Sequence, residues 1–169
     1  MDFATILSPN GYFDWAIIGG DLASDDGLDT KVAISLWTDR LANVDDVIPD
    51  GSGDRRGWWG DAYLPPLPSG KPDHIGSRLW LLGRALQIPE TAQRAQAYCQ
   101  EALQWLLDDD VASAVSTPLP TFPALGMMRI VNTIAQQTAA GATVNRRYTS
   151  LWDMTRGTLS FSGVVIGGF

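Results

Sequence analysis

Cysteine and histidine are almost missing from this 169-residue chain: Cys99 and His74 each stand alone. One thiol forms no internal disulfide. One thiol with one imidazole makes neither a Cys-Cys zinc site nor a His-rich metal centre. Glu and Lys are nearly as scarce, with Glu90 and Glu101 against 17 Asp, and Lys31 and Lys71 against 10 Arg. A net charge of -7 leaves no excess of positive charge to coat nucleic acid or an anionic membrane, so neither is expected as a partner. No apolar run approaches the ~20 residues that span a bilayer. The opening Met1-Asp2-Phe3-Ala4 lacks the basic start of a signal peptide, so a soluble product of a cytoplasm is expected.

Hydrophobic residues make up 45% of the chain, enough for one domain with a core of its own. The acid is mostly Asp, a cap and turn residue, which places it at loops and helix starts. Seven Trp and many Arg are residue types favoured as interface anchors, although on composition alone a Trp-rich core with solvated charges is the favoured reading.

Phe13 to Leu22 reads as an extended stretch ending at Gly19-Gly20-Asp21. Leu28, Val32, Ala33, Leu36, Trp37 and Leu41 recur at helical spacing, with Asp25 or Asp26 as N-cap and Asp29 in the first turn. Residues 43 to 74 are rich in breakers and hold Arg55-Arg56-Gly57-Trp58-Trp59-Gly60-Asp61, a long loop of a length usually tied to function. A second helix is predicted from Ser77 to Leu86, with Leu79, Leu82 and Leu86 as its stripe and Trp80 beside it. A third runs from Pro89 to Leu107, burying Ala92, Ala95, Cys99, Ala102, Leu103 and Leu106. Val111 to Thr117, Met127 to Ile134, Ala142 to Trp152 and Thr158 to Ile166 read as strands, with Gly141 at a hairpin turn. Helices first and strands afterwards predict an α+β fold. About three helices pack on one face of a small, mostly antiparallel sheet, with a long Pro/Gly/Trp-rich loop. Residues 1–157 form one domain, and 158–169 are its C-terminal strand or arm.

Catalytic patterns are missing. Gly19-Gly20-Asp21 and Gly51-Ser52-Gly53 match neither a phosphate loop nor a dinucleotide fingerprint. His74 lies in a Pro-Asp-His-Ile turn and reads as a solvated loop residue, and no nucleophile elbow exists. Asp54, Asp61, Asp73, Glu90 and Glu101 offer carboxylate pairs for a glycosidase in number only, although a sugar can stack on the Trp pair flanked by Asp54 and Asp61. No catalytic, cofactor or metal-binding residue is assigned. Asp108-Asp109-Asp110 is sharper. Three acids follow the third helix, where its dipole is already negative, so they are either a solvated turn or a knob for a basic partner.

Five blocks then recur in order: Gly20 to Leu28, Ile34 to Arg40, Asp54 to Asp61, Ile75 to Leu82, and Ala102 to Leu106. They resemble the Mu-like phage tail baseplate protein family, which is related to the sheath-initiator, or lysozyme-like, baseplate wedge proteins of contractile tails. The resemblance covers residues 13 to 115 and, in layout only, the strands beyond. It implies a structural virion part and no enzyme: a link between wedge proteins around the tail tube and the first ring of sheath subunits. Wedge, sheath, and tube or hub/spike proteins are the implied partners. Sixfold tail symmetry implies six copies per baseplate, and the location is the virion tail after assembly in the host cytoplasm. The alternative is a tail-associated cell-wall hydrolase. Sheath initiators carry a Glu-Pro-Arg turn after the last helix, where this chain has Asp109-Asp110-Val111.

The expected interface residues are Arg55, Arg56, Trp58, Trp59 and Asp61 on the loop and Asp108, Asp109 and Asp110 on the turn. Phe161, Val164 and Ile166 are expected on the C-terminal strand, which pairs either in its own sheet or with a neighbour. At least one of the two loop Trp is expected to be mostly buried within the chain, packed onto the second helix; the alternative is a wholly internal role for the loop, in which Arg55 and Arg56 pair with local acids such as Asp54 and Asp61. The acidic turn is expected to meet a partner and no internal Arg.

Overall fold

The computed structural model describes residues 2–7, 13–25, 28–66, 70, 72–137, 141–155 and 158–168. The α+β architecture is present. Six short strands come first: β1 (Asp2–Phe3), β2 (Thr5–Leu7), β3 (Phe13–Trp15), β4 (Ile17–Ile18), β5 (Asp21–Leu22) and β6 (Ser24–Asp25). Helix α1 (Leu28–Trp37) follows, then α2 (Pro89–Leu103) and α3 (Trp105–Asp108). Strands β7 (Ala114–Ser116), β8 (Thr121–Ala124), β9 (Met127–Gln137), β10 (Thr143–Asp153) and β11 (Thr158–Gly168) complete the chain. The last five make one antiparallel sheet in the order β11-β10-β9-β7, with β8 also paired to β9.

Helix α1 buries Leu28, Val32, Ala33 and Leu36, the face its spacing implies. The expected N-cap falls outside the residues described (Asp26) or on a side chain that is not described (Asp25). Helix α2 starts at Pro89, whose missing N–H would have no helical partner there anyway, and buries Ala92, Ala95, Cys99, Ala102 and Leu103. At Gln104 the ladder tightens to i→i-3 bonds, so α2 and α3 form one bent helix with Leu106 still inward.

On the sheet, Met128, Ile130, Asn132 and Ile134 of β9 and Tyr148, Ser150 and Trp152 of β10 are buried at period two against the helices. Strands β9 and β10 pair from Thr143–Gln137 to Asp153–Met127, and Gly141 takes φ +79° in their connection. Strand β8 was not expected. Its hairpin to β9 turns on Leu125-Gly126, with Gly126 at φ +75°. Tyr148 Oη donates to Asp29 Oδ1 at 2.6 Å and Arg146 pairs with the same carboxylate at 3.2 Å, fixing the start of α1 to β10.

Two expected elements differ. The second helix is a five-residue 3-10 segment, Arg78–Leu82, so among the described residues two α-helices, one of them bent, stand in place of about three. Leu79, Trp80, Leu81 and Leu82 are all buried, which a one-sided helical stripe cannot achieve. Ser77 does cap it, through Oγ accepting from Leu79 N at 3.4 Å. The segment ends at Gly83, Arg84 takes φ +64°, and Leu86 is 74% exposed instead of completing a stripe. Phe13 to Leu22 is not one strand either. It breaks at Ala16, and Gly19 and Gly20, at φ +64° and +89°, turn it back on itself.

The C-terminal strand lies in its own sheet, paired to β10 from Asp153–Thr158 to Val144–Gly168, with an irregularity between Tyr148 and Ser150. This is the intramolecular alternative. The side chains of Phe161, Val164 and Ile166 lie outside the description. Among the described residues the far edge of β11 carries no strand.

The crossing between α1 and the 3-10 segment is tight. Asp39 and Ser77 form a parallel bridge, Ser77 N donates to Thr38 O at 2.9 Å, and Ser77 Oγ donates to Leu36 O at 2.6 Å. Gly76 sits there at φ +104°, where a Cβ would lie 2.2 Å from Thr38 O. Gly76→Ala is therefore expected to cost about 3 kcal/mol of unfolding free energy in urea titration. A cost under about 0.5 kcal/mol would contradict this packing.

Candidate functional site

The loop after α1 is held from within. Ala42 N donates to Arg55 O at 3.0 Å, and the Arg55 guanidinium returns to Ala42 O through Nε at 2.8 Å and through Nη2. Arg56 reaches Asp39 at 2.8 Å and lies over the Trp80 ring at 4.4 Å. The two arginines thus serve the loop's own closure, through Ala42 O and Asp39 in place of the Asp54 and Asp61 named in the internal alternative. Asp54 Oδ1 accepts from Arg56 N, while Asp61 accepts from Ile75 N and faces His74 Nδ1, both at 3.2 Å. His74 is therefore partly covered and tied to Asp61, where a solvated residue was expected.

Arg78 joins the loop to α2. Its Nε donates to Glu101 at 2.9 Å, its Nη1 to Asp46 Oδ2 at 3.0 Å, and its guanidinium covers the Tyr98 ring at 4.7 Å. Burial works against the charge, but Asp46 and Glu101 outweigh it and hold the guanidinium more firmly protonated than usual. Sequence reading missed this cluster, because its three members lie far apart in the chain and each has the look of a surface charge. Two of the five carboxylates considered for glycosidase work are engaged elsewhere: Glu101 with Arg78, and Asp61 with His74.

What the loop presents outward is aromatic. The short 3-10 turn Trp59–Tyr63 leaves Trp59 at 78% and Tyr63 at 81% exposure. The Trp58 and Trp59 rings are 5.4 Å apart and tilted, and Trp59 meets Tyr63 edge-on at 6.3 Å. Trp58 is largely covered, as expected of one of the pair. Its ring lies where a Cβ on residue 60 would be, 2.2 Å from Cζ3, so only glycine fits at position 60. Over the 3-10 segment itself, however, it is Arg56 that lies on Trp80.

Asp108, Asp109 and Asp110 are all exposed at the end of α3. Asp108 accepts from Gln104 Nε2 at 2.9 Å, and Asp110 takes φ +55° to turn the chain towards β7. Among the described residues no Arg or Lys pairs with any of the three. The interface residues named from sequence thus lie on three elements: the loop, the turn and the sheet edge. Among the described residues no group of three or more His, Cys, Asp and Glu is placed to hold a metal ion.

The family described as Phage protein GP46 matches residues 28–141. This chain belongs to that family. Baseplate protein gp46 of Escherichia phage Mu is 49% identical over 116 residues, covering 69% of this chain and 75% of that protein. Mu-like prophage FluMu protein gp46 of Haemophilus influenzae is 33% identical over 145 residues, 86% of this chain and 93% of that protein. The GP46 match includes the aromatic loop, the Arg78 cluster and the acidic turn, and excludes the six N-terminal strands and β10–β11.

Two outcomes follow. Trp59→Ala is expected to shift the unfolding free energy by less than about 0.5 kcal/mol, whereas Arg78→Met lowers it by about 2 kcal/mol, because Asp46 and Glu101 lose their shared partner. Equal effects in urea titration would contradict the division between outward aromatics and inward clamp. Cys99 is fully buried, and burial pushes its thiol up to about 12, partly offset by a hydrogen bond to Asn132. A neutral thiol therefore contributes stability at neutral pH that is lost as pH rises towards 12. Ellman's reagent at pH 8 is expected to label Cys99 only after unfolding. Rapid labelling of the folded protein would contradict its burial.

Proposed function

We propose that this chain is a structural component of a contractile phage-tail baseplate, linking wedge proteins around the tail tube to the first ring of sheath subunits, and that it is not an enzyme. The observation that carries the reading is its 49% identity, over three quarters of that protein, to one named a baseplate protein in phage Mu. The surface supports it. Exposed Trp and Tyr are the side chains that gain most from being covered by a partner, and the acidic turn holds three charges that no cation among the described residues pairs with.

In this reading the turn Asp108–Asp110 docks on a basic patch of a wedge protein. The open edge of β11 offers backbone donors and acceptors to an extended segment of the sheath, the usual geometry of strand addition. Wedge, sheath and tube or hub/spike proteins are the partners, six copies surround the tube, and the protein is assembled in the host cytoplasm and resides in the virion tail.

Asp109→Lys with Asp110→Lys is expected to leave the monomer folded by circular dichroism while abolishing complete tails in a phage carrying the double substitution. Tails in normal number would contradict the assigned role of the turn. The hydrolase alternative predicts clearing of a peptidoglycan suspension by the purified protein, and the proposed function predicts none.

A further inference from the structure

Residues 2–7 and 13–25 have no part in the role just described, yet they form a structure of their own. Their strands pair with one another: β1 with β6, β2 with β3, and β4 with β5. The three pairs meet in a closed ring of backbone hydrogen bonds. Ala4 N–H donates to Ala23 O at 2.8 Å, Ala23 N–H to Ala16 O at 2.8 Å, and Ala16 N–H to Ala4 O at 2.9 Å. A methyl side chain at each corner lets three backbones converge, and Ala16 is buried there.

From this base the β4–β5 hairpin projects through the Gly19-Gly20 turn. Ile17 is 69%, Ile18 74% and Leu22 43% exposed. Successive strand residues point to opposite faces, so Ile17, paired across to Leu22, and Ile18 put apolar surface on both sides of the hairpin. A hairpin apolar on both sides suits insertion into a groove, since contact with a flat surface would cover only one side. Its charge is of one sign. Residues 1–27 hold five of the chain's 19 acids and none of its 12 Lys and Arg. Asp14 and Asp21 use one oxygen on the next backbone N–H and remain exposed. The remaining residues hold 14 acids against 12 bases, so a second copy brings no net positive charge to meet it.

We infer that the Ile17–Leu22 hairpin is a docking wedge that enters an apolar groove rimmed by Lys and Arg on another protein of the baseplate. The inference rests on the baseplate role proposed above. The test uses an infected-cell extract that lacks this chain and supplies the other tail proteins, to which purified full-length protein is added. Complete tails are counted by electron microscopy, and the chain is measured in sedimented baseplates. Wild-type protein restores tails if the baseplate role holds. If it does not, that role falls, and the wedge with it.

Given restoration, Ile17→Ser/Ile18→Ser/Leu22→Ser is expected to keep the wild-type unfolding midpoint and lower incorporation about tenfold. Asp14→Asn/Asp21→Asn, which keeps the local hydrogen bonds, is expected to lower it about threefold, and about 0.5 M NaCl to weaken wild-type incorporation similarly. Normal incorporation of the triple Ser variant overturns the wedge. Indifference to both Asp neutralisation and salt overturns the basic rim. A wild-type dimer in sedimentation that the triple variant abolishes would make the occupant a second copy and overturn the assignment to another protein.

Discussion

Arg78 is the residue through which the long loop becomes part of the domain. It stands at the start of a 3-10 segment whose next four residues are all buried, so its own position is fixed by the core. From there it reaches Asp46 on the loop and Glu101 on α2 while lying on Tyr98, so one partly buried cation holds two anions and an aromatic face. Arg suits this role because its planar fork satisfies two carboxylates at once, and its weakly hydrated face tolerates contact with a ring. Arg40 adds a longer contact to Glu101 at 3.8 Å. With the loop's inner side secured by these groups and by Arg55 on Ala42 O, its aromatic side is left facing outward.

The same division between inward polar closure and outward apolar surface recurs along the chain. Arg55, Arg56, Asp61 and His74, which in sequence have the look of a functional cluster, spend their hydrogen bonds inside the loop. Trp59 and Tyr63 remain exposed. A monomer gains nothing from such exposure, and an assembly part does. The three long strands add a surface of another kind: β11 fills one edge of β10, and among the described residues its own far edge is left with backbone donors and acceptors open.

Elements whose pattern has one period were legible from sequence. The stripe of α2 buries the residues its spacing implies, that of α1 does so from Leu28 to Leu36 but not at Leu41, beyond the helix, Met127 to Ile134 lies within β9, and Gly141 lies in the hairpin connection where it was expected. Residues 77–86 were not legible, because Leu79 to Leu82 are buried on all sides and period carries no information there. Phe13 to Leu22 misled because extended propensity does not reveal that two glycines fold the segment back. Strand β8 is short and contains Pro123, which argues against a strand in sequence and is tolerated here on a strand that pairs on one side only. The Arg78 cluster draws on residues 46, 78 and 101, a juxtaposition that only the fold supplies.

The account makes this chain a building block whose exposed loop is covered in the virion. Hydroxyl-radical footprinting of the free protein and of purified tails tests that directly, with oxidation of Trp59 and Tyr63 read by mass spectrometry. The account predicts that both are oxidised readily in the free protein and at least about fivefold more slowly in tails. Absence of the chain from purified tails, or equal oxidation of Trp59 in the two states, would contradict it.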